Sequence, residues 1–346
     1  MTADTAAIAS PGELEPLSPE EFQRVATEIE TAVGRIVVGQ TEAVRGALIC
    51  LIAGGHALLE GVPGLGKTTL ARALSGALEL APKRIQFTPD LMPADITGTT
   101  VLVQGAETEE TRLRFEPGPI FANVVIADEI NRAAPRTQSA LLEAMQEHNV
   151  TIANQTRPLP APFFVIATQN PVEMYGTYPL PEAELDRFFL KLKFDFPPVA
   201  ELNQMVEMTT TAGHETAEAD AEPVADADTV LRMNALVRSV PAAAHVIDYA
   251  SRLVVSLHPE SPTATDRVKR FVRIGPSPRG AQALALAGRV AALIEGRHNL
   301  SIDDIQAIAL PALRHRLVLT IDAERQAISP DEIVKEAIEA LPREAS

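Results

Sequence analysis

Hydrophobic and polar residues are arranged in two different ways along this chain, one before about residue 198 and one after it. Between residues 57 and 198, short apolar runs are separated by stretches in which apolar residues recur with helical spacing. Strands separated by helices are typical of a mostly parallel sheet with helices on its faces. We therefore predict an α/β core, in which the clearest strands are residues 57–60, 84–87, 124–127 and 163–168.

Two further segments of the core have the pattern of antiparallel hairpins. Residues 100–115 place apolar side chains at alternating positions on both sides of a polar tip that contains three glutamates. Residues 149–157 have a similar pattern just before the predicted strand at 163–168. Because such alternation is typical of strands with one exposed face, we expect both segments to be hairpins inserted into the core.

The remaining segments are predicted from helical periodicity and composition. A Ser18-Pro19-Glu20-Glu21 capping box begins a helix after a loose N-terminal leader, residues 1–17. The core, residues 18–208, is followed by an acidic segment, residues 209–228, which we expect to be flexible because it has few large apolar residues to bury. From residue 229 to residue 346 the spacing of apolar residues is helical, which predicts a C-terminal all-α domain.

Composition narrows the class of protein without identifying it. A chain of 346 residues with 46% hydrophobic and 22% charged residues is ordinary for a globular protein of two domains. The net charge of −16 gives no overall attraction for a phosphate backbone and argues against a nucleic-acid partner. The one cysteine, Cys50, cannot form an internal disulfide. No signal peptide is evident, and the longest apolar run, residues 47–59, is too short to span a bilayer, so we expect a cytoplasmic protein without membrane insertion.

The strongest candidate for chemistry follows the first predicted strand. Residues 61–68 read Gly-Val-Pro-Gly-Leu-Gly-Lys-Thr, which matches the phosphate-binding loop G-x-x-x-x-G-K-[ST]. Glycines let several backbone N–H groups point at one anion, and the following helix aims its positive N-terminus at the same place. In such a loop Lys67 provides a charge for the β- and γ-phosphates, and Thr68 provides a hydroxyl for Mg²⁺. The loop therefore predicts a site for ATP and Mg²⁺.

Two more predicted strands end in polar residues. Asp128 and Glu129 follow the strand at 124–127, and Asn170 follows the strand at 163–168. Beside a phosphate-binding loop, we expect Asp128 to bind Mg²⁺ through water and Glu129 to polarise the attacking water. We expect the amide of Asn170 to hold that water or the γ-phosphate by hydrogen bonds.

In their order and spacing, these motifs resemble those of AAA+ ATPases and, within that superfamily, the MoxR family. The resemblance covers the chain from about residue 36 to the C-terminal helices. It implies an AAA+ P-loop NTPase core with a C-terminal helical lid. The segments that carry it are residues 60–68, 128–133, 138–145, 167–171, 180–188 and 277–279.

The resemblance also implies roles that spacing alone does not assign. Arg187 matches the arginine finger, which reaches the γ-phosphate bound to a neighbouring subunit. Arg279 matches sensor 2, which touches the nucleotide of its own subunit, and the Val38-Gly39 pair matches a segment that packs near adenine. Arg132 and Arg136 are rival candidates for the arginine that acts across subunits. The candidate residues are Lys67, Glu129, Asn170 and Arg187 for catalysis, Gly61, Val62, Pro63, Gly64, Leu65, Gly66, Lys67, Thr68, Thr69, Val38, Gly39 and Arg279 for nucleotide binding, and Thr68 and Asp128 for the metal.

The resemblance implies that the chain hydrolyses ATP as a homo-oligomeric ring, with a hexamer as the expected form. Its output would be chaperone-like remodelling, activation or assembly of client proteins with a von Willebrand factor A-domain partner. Three alternatives are open: a helicase-type nucleic-acid motor, the ATPase subunit of a metal chelatase, and a nucleotide-gated binding module that rarely hydrolyses. The hairpin at 100–115 argues against the motor, because threading of DNA needs basic or stacking residues and its tip is acidic. Intact Glu129 and Arg187 argue against the binding module.

Overall fold

A five-stranded parallel sheet lies at the centre of the N-terminal part of the protein. The computed structural model describes residues 15–104, 111–170, 177–210 and 221–344. Within these ranges the strands are β1 (Ala57–Glu60), β2 (Pro82–Gln86), β3 (Gly98–Gln104), β4 (Thr111–Pro117), β5 (Val124–Asp128), β6 (Asn149–Ile152), β7 (Gln155–Pro158), β8 (Phe164–Gln169), β9 (Leu190–Lys193), β10 (Val272–Ile274) and β11 (Val318–Leu319). The central sheet has the order β2-β5-β8-β1-β9, and its neighbouring strands are all parallel. The carboxyl ends of its strands therefore lie along one edge, where ligands of such sheets bind.

Helices cover this sheet and build most of the C-terminal region. In chain order they are α1 (Pro19–Gly34), α2 (Thr41–Ala53), α3 (Lys67–Ala77), α4 (Pro93–Thr97), α5 (Pro135–Glu147), α6 (Glu182–Leu185), α7 (Val199–Thr210), α8 (Ala227–Ser239), α9 (Ala244–Ser256), α10 (Asp266–Phe271), α11 (Pro278–Ile294), α12 (Ile302–Leu313), α13 (Ile321–Arg325) and α14 (Pro330–Ala340), with a 3₁₀ turn at Ile130–Arg132. Serine or threonine side chains cap α1 and α10 to α14, because each accepts a hydrogen bond from an N–H group that the first turn leaves free.

Successive residues of the central strands face opposite sides of the sheet and enter two hydrophobic clusters. In β5, Val124 and Ile126 belong to the cluster formed with α1, α2, α3 and the C-terminal helices. Val125 and Ala127 belong to the second cluster, which includes the buried face of α5. Because both faces of β5 and β8 are covered, these strands are nearly continuous apolar runs.

The predicted α/β fold with a mostly parallel sheet is confirmed. The four strands predicted most clearly correspond to β1, β2, β5 and β8, with ends that differ by at most two residues. The edge strand β9 was not predicted. Its sequence Leu-Lys-Leu-Lys alternates between buried leucines and half-exposed lysines, which is the signal that could have revealed it.

Antiparallel hairpins occupy both segments where the sequence predicts them. Strand β3 pairs with β4, and β6 pairs with β7. The two hairpins contact each other, since the Arg157 guanidinium lies 4.2 Å from the centre of the Phe115 ring. Leu102 and Leu113, which are paired across β3 and β4, are each 72% exposed. The predicted acidic tip of the first hairpin, residues 105–110, lies outside the described residues.

The C-terminal region is helical, as predicted, with one addition. Strands β10 and β11 form a short antiparallel pair, in which Val272 is opposite Leu319, so the region is not entirely α-helical. This region also does not have a core of its own. Helix α11 packs on α2 and α12 packs on β9, and the buried residues of both parts form one cluster. None of the helices in the described ranges has the length and apolar character needed to cross a membrane.

The two segments that we expect to be loose are described only in part, and their described residues make contacts. In the acidic segment 209–228, α7 continues to Thr210, Ala221 is buried, and the Val224 N–H group donates to the Ala77 carbonyl at 2.8 Å. The end of this segment from Ala221 onward is therefore held by contacts with the fold, while residues 211–220 lie outside the described residues. In the predicted leader, Leu17 is buried and the Glu15 carbonyl accepts a hydrogen bond from Arg232, whereas residues 1–14 are not described.

Candidate functional site

A cavity of about 340 Å³ opens at the carboxyl edge of the sheet, and we call it the phosphate pocket. It brings together the loop after β1 with the ends of β2, β5 and β8. Its walls are formed by Pro63, Gly64, Gly66, Lys67, Thr68, Thr69, Arg84, Gln86, Asp128, Glu129, Thr168, Gln169 and Asn170.

The loop after β1 has the features of an anion site. Gly64 and Gly66 have φ angles of 84° and 89°, a conformation that side chains disfavour. Gly66 is the N-cap of α3 and offers no side chain to cap it, so the first N–H groups of α3 are left for a ligand. The Lys67 ammonium donates to the carbonyls of Gly61 and Val62. Burial lowers the pKa of Lys67, while the nearby carboxylates of Asp128 and Glu129 counteract this shift.

The oxygen ligands in the pocket fit Mg²⁺. Asp128 is buried at the end of β5, and its Oδ2 lies 3.5 Å from Thr68 Oγ1. Hydroxyl and carboxylate oxygens are the donors that Mg²⁺ prefers. Among the described residues, no group of three or more His, Cys, Asp or Glu side chains could hold a metal ion. Mg²⁺ usually takes one or two protein side chains together with water and phosphate, so Thr68 and Asp128 have the chemistry of a sufficient set of protein ligands.

Glu129 is held at the pocket by its backbone and by its side chain. Its φ angle of 55° is uncommon for a residue other than glycine. Its N–H group donates to Thr168 Oγ1 at 2.9 Å. Gln86 Nε2 donates to Glu129 Oε2 at 3.1 Å, and Arg132 forms an ion pair with the same oxygen at 3.0 Å. The carboxylate is therefore fixed beside the loop, and the buried Asn170 lies in the same pocket.

Arg84 and Gln86 are pocket residues that the sequence analysis missed. Arg84 Nε donates to Asp128 Oδ2 at 2.6 Å, and Arg84 Nη2 donates to Gln86 Oε1 at 3.1 Å. The signal for them was the alternation of polar residues at the carboxyl end of β2, which pairs with β5.

Val38 and Gly39 lie outside the residues that line the phosphate pocket. Val38 is buried, and Gly39 has a φ angle of 76° and packs against Pro197 and Glu201. The neighbouring Gln40 donates from Nε2 to the Asp195 carbonyl at 2.9 Å. This pair thus contacts the chain where it leaves β9 and enters α7.

A second cavity, of about 380 Å³, contains the two arginines singled out by the resemblance, and we call it the arginine cavity. Arg187 Nη1 donates to the Leu142 carbonyl at 3.2 Å and to Gln146 Oε1 at 2.7 Å. Arg279 Nη2 lies 3.5 Å from the same Gln146 oxygen, and Arg279 Nη1 lies 3.8 Å from Asp186 Oδ2. The walls are formed by Gly54, Gly55, His56, Met145, Gln146, Asp186, Arg187, Phe189, Arg279, Gln282, Ala283, Leu286 and Arg316.

The two cavities lie at opposite ends of β1. Gly55 and His56 of the arginine cavity precede this strand, and the phosphate-binding loop follows it. Four residues of strand span about 13 Å. Arg279 lies in the arginine cavity with Arg187 and is absent from the walls of the phosphate pocket. This placement does not favour a contact of Arg279 with the nucleotide of its own subunit, and that role stays a prediction.

A buried ion pair explains where Arg279 lies. The Arg316 side chain is 3% exposed, and its Nε donates to Asp186 Oδ1 at 2.9 Å. The Ser277 hydroxyl, which caps α11, donates to Asp186 Oδ2 at 2.8 Å. These contacts attach the start of α11, including Arg279, to the segment that precedes β9. Burial lowers the pKa of Arg316, and the Asp186 carboxylate opposes that shift.

The rival arginines lie elsewhere. Arg132 pairs with Glu129 and so belongs to the surroundings of the phosphate pocket. Arg136 is exposed in the first turn of α5, whereas Gln146 lies in the last turn of this helix. Neither is among the residues that line the arginine cavity.

Comparison with known proteins identifies the family. The profile of the ATPase family associated with various cellular activities (AAA) matches residues 56–190, and that of the AAA lid domain matches residues 264–337. Chaperone MoxR1 from Mycobacterium tuberculosis (strain ATCC 25618 / H37Rv) is 39% identical over 351 residues, which cover 99% of this chain and 88% of that protein. The chain belongs to the MoxR family of AAA ATPases.

Two further relatives of this MoxR-family chain match it over nearly their full length. Protein MoxR from Methylorubrum extorquens is 32% identical, with 93% of this chain and 96% of the relative covered. A crystal structure from Cytophaga hutchinsonii ATCC 33406, assigned as an ATPase, has a TM-score of 0.85 and 33% identity, and the match covers 94% of this chain and 96% of that one. The resemblance predicted from the sequence is therefore confirmed, and membership of an AAA ATPase family implies nucleotide binding.

Proposed function

We propose that this MoxR-family ATPase hydrolyses ATP at sites that are each completed by two copies of the chain. The observation that carries the proposal is the separation of the two cavities by β1. Lys67, Asp128 and Glu129 line the phosphate pocket, but Arg187 and Arg279 do not. Phosphoryl transfer needs positive charge around the transferred group, and an arginine supplied by a neighbour is a recurrent source of it. A neighbouring copy would bring its arginine cavity to this phosphate pocket.

Within one copy, the proposed roles follow from the contacts described above. The N–H groups at the start of α3 and the Lys67 ammonium would bind the phosphates. Thr68 would ligate Mg²⁺ directly and Asp128 would do so through water, and the bound metal would neutralise charge on the β- and γ-oxygens. Glu129 would polarise the attacking water, and the Asn170 amide would hold it in line. Val38 and Gly39 would pack near the adenine.

A contact between the phosphate pocket of one copy and the arginine cavity of the next uses two different surfaces. Such head-to-tail contacts close into a ring when the rotation between copies allows it. We infer a homo-oligomeric ring with a hexamer as the expected form, in a cytoplasmic protein. Because α11 is attached beside Arg187, rotation of the helical region would be coupled to the neighbour's nucleotide.

We propose that ATP hydrolysis drives chaperone-like remodelling, activation or assembly of client proteins, together with a von Willebrand factor A-domain partner. The name of the Mycobacterium relative, a chaperone, supports this direction. The first hairpin supports it too, because the exposed Leu102 and Leu113 form an apolar pair that suits a protein segment better than nucleic acid. Stimulation of ATPase activity by single-stranded DNA at physiological salt would instead favour a nucleic-acid motor.

The shared site is tested by mixing two inactive variants. Arg187→Ala should still bind ATP but lose about 10³-fold or more in kcat, because it lacks the arginine that acts on its neighbour. Lys67→Ala should lose nucleotide binding and keep an intact arginine cavity. When the two variants are mixed, some sites combine the phosphate pocket of an Arg187→Ala copy with the arginine cavity of a Lys67→Ala copy. These sites have both intact halves and should hydrolyse ATP. Absence of activity at every mixing ratio, or full turnover by a strictly monomeric chain, would overturn the proposal.

A further inference from the structure

One side-chain oxygen contacts both Arg187 and Arg279 in the arginine cavity. Gln146 Oε1 accepts a hydrogen bond from Arg187 Nη1 at 2.7 Å and lies 3.5 Å from Arg279 Nη2. The first contact has the length of a strong hydrogen bond, and the second is at the outer limit of one. Because guanidinium groups only donate, the amide must turn its oxygen toward them. Gln146 is therefore the residue that touches both guanidinium groups from α5.

The other groups near these arginines leave them with unused donors. The Leu142 carbonyl, near the C-terminus of α5, accepts from Arg187 Nη1, and the negative end of this helix favours a cation there. Asp186, which lies 3.8 Å from Arg279, is already bound by Arg316 and Ser277. Within the described residues, Arg187 Nε and Nη2 make no hydrogen bond. These two donors are available to a phosphate.

The chemistry of an amide suits this position better than that of a carboxylate. An amide oxygen orients a guanidinium through one hydrogen bond and leaves its charge in place. A carboxylate would bind more tightly, would offset the positive charge, and would compete with phosphate for the same donors. Glu143 and Glu147 lie on the same helix within one turn, so a neutral side chain at position 146 contrasts with its acidic neighbours.

Helix α5 also gives Gln146 a fixed distance from the phosphate pocket. The helix begins just after the 3₁₀ turn that follows Glu129, and its 13 residues span about 20 Å. Near its start, the buried Gln138 donates from Nε2 to the carbonyls of Ile130 and Ala133. One rigid helix thus joins the residues behind Glu129 to the residue that contacts Arg187.

We propose that Gln146 is a positioning residue that orients Arg187 and Arg279 toward the triphosphate bound by the neighbouring copy, without neutralising them. The inference rests on the proposed shared site and adds a residue to it. Gln146 does not line the phosphate pocket of its own copy, so its effect should appear in turnover rather than in nucleotide affinity.

The test compares Gln146→Met and Gln146→Glu with the control Glu147→Met. Both positions, 146 and 147, are exposed at the end of α5, so all three variants should retain the fold and the assembly state. We expect Gln146→Met to lower kcat about five- to tenfold, the usual effect of losing one orienting hydrogen bond, with an unchanged dissociation constant for fluorescent ATP. Gln146→Glu should lower kcat further, because its carboxylate competes with the phosphate. The control should remain within about twofold of the parent enzyme.

Mixing again separates positioning from a local defect. When a Gln146 variant is mixed with Lys67→Ala, some sites combine the variant's phosphate pocket with the arginine cavity of a Lys67→Ala copy. That cavity has an unaltered Gln146, so turnover at these sites should equal that of the parent enzyme. Turnover equal to that of the control, weakened ATP binding, impaired assembly, or a loss that mixing does not restore would each overturn the inference. If Arg187→Ala is rescued by mixing but the Gln146 variants behave like the control, the inference alone fails. If Arg187→Ala is not rescued, the shared site itself fails.

Discussion

The phosphate pocket and the arginine cavity are similar in volume but are built in different ways. The pocket depends on the backbone of one short loop, on two glycines with positive φ angles, and on side chains at the ends of neighbouring strands. The cavity depends on side chains from α5, from the segment before β9, from α11, and on Arg316, which follows α12. The pocket is therefore specified locally, whereas the cavity exists only after the C-terminal helices have packed against the sheet.

This difference extends to electrostatics. In the phosphate pocket, Asp128 is buried but its partner Arg84 is 58% exposed, and Glu129 is also partly open to solvent. In the arginine cavity, Arg316 is almost fully buried, so its charge depends on the Asp186 carboxylate and on backbone carbonyls that include those of Phe188 and Phe189. We infer that the pocket tolerates change in the C-terminal helices better than the cavity does.

The largest expected effect is a loss of turnover that, by mixing variants, distinguishes the phosphate pocket from the arginine cavity. Glu129→Gln should keep ATP binding and lose about 10²- to 10⁴-fold in kcat, because an amide cannot act as the base that polarises water. In the proposed mechanism Glu129 acts in the pocket of its own copy, so mixing with Lys67→Ala should not restore turnover, in contrast to Arg187→Ala.

Steady-state turnover over a series of mixing ratios measures this difference, with parent enzyme mixed with Lys67→Ala as the reference. Rescue of Glu129→Gln by Lys67→Ala would assign Glu129 to the neighbour's site. The division of the two regions between two copies would then be wrong.

The same contrast explains which parts of the protein could be predicted. The loop at Gly61–Thr68 and the apolar strands are short, contiguous patterns, so the α/β fold and the family were both predicted correctly. Short β9 and the pocket residues Arg84 and Gln86 were missed, although an alternating pattern was available for each. The roles of the individual site residues remain predictions.

The position of Arg279 could not be predicted from the sequence. Arg279 follows a helix cap that fits many locations, and its neighbours in space come from distant parts of the chain. Gln146 is 133 residues away and Asp186 is brought there by its pairing with Arg316. Only the packing of α11 on α2 and of α12 on β9 brings these groups together, and no local pattern encodes it.

The second expected effect tests how far the arginine cavity depends on the C-terminal helices. Asp186→Ala should lower the free energy of unfolding by about 3–5 kcal/mol, because it leaves the buried Arg316 charge without its carboxylate partner. Urea denaturation followed by circular dichroism measures this change. ATP binding at native conditions should persist, since Asp186 does not line the phosphate pocket.

The double variant Asp186→Ala/Arg316→Met provides the control. It should be more stable than Asp186→Ala alone, because the apolar methionine removes the unpaired charge. If the effects of the two substitutions on the free energy of unfolding are simply additive, the ion pair is not what attaches α11 and α12 to the segment before β9.

The smallest expected effect is a pH dependence of stability that arises at the arginine cavity, which His56 lines. His56 is buried, its Nε2 donates to the Met145 carbonyl at 3.0 Å, and its Nδ1 accepts from the Val165 N–H group, so it is held neutral. Burial is the main cause that lowers its pKa to about 4 from 6.5. The unfolded chain therefore binds more protons between these values, and stability present above pH 6.5 is lost as the pH falls toward 4. From pH 7 to pH 5 the loss should be about 2 kcal/mol.

His315 should act in the same direction, because burial lowers its pKa well below the usual value and its Nε2 donates to the Phe188 carbonyl beside Arg187. No histidine lines the phosphate pocket within the described residues. Hydrogen exchange at pH 7 and pH 5, corrected for intrinsic rates, should thus show protection lost first around residues 186–189 and later around the loop at 61–68. His56→Gln should be less stable at pH 7 but should have a flatter pH dependence of unfolding. If both regions lose protection together, or if His56→Gln keeps the full slope, the acid sensitivity does not arise from the cavity that holds the arginines.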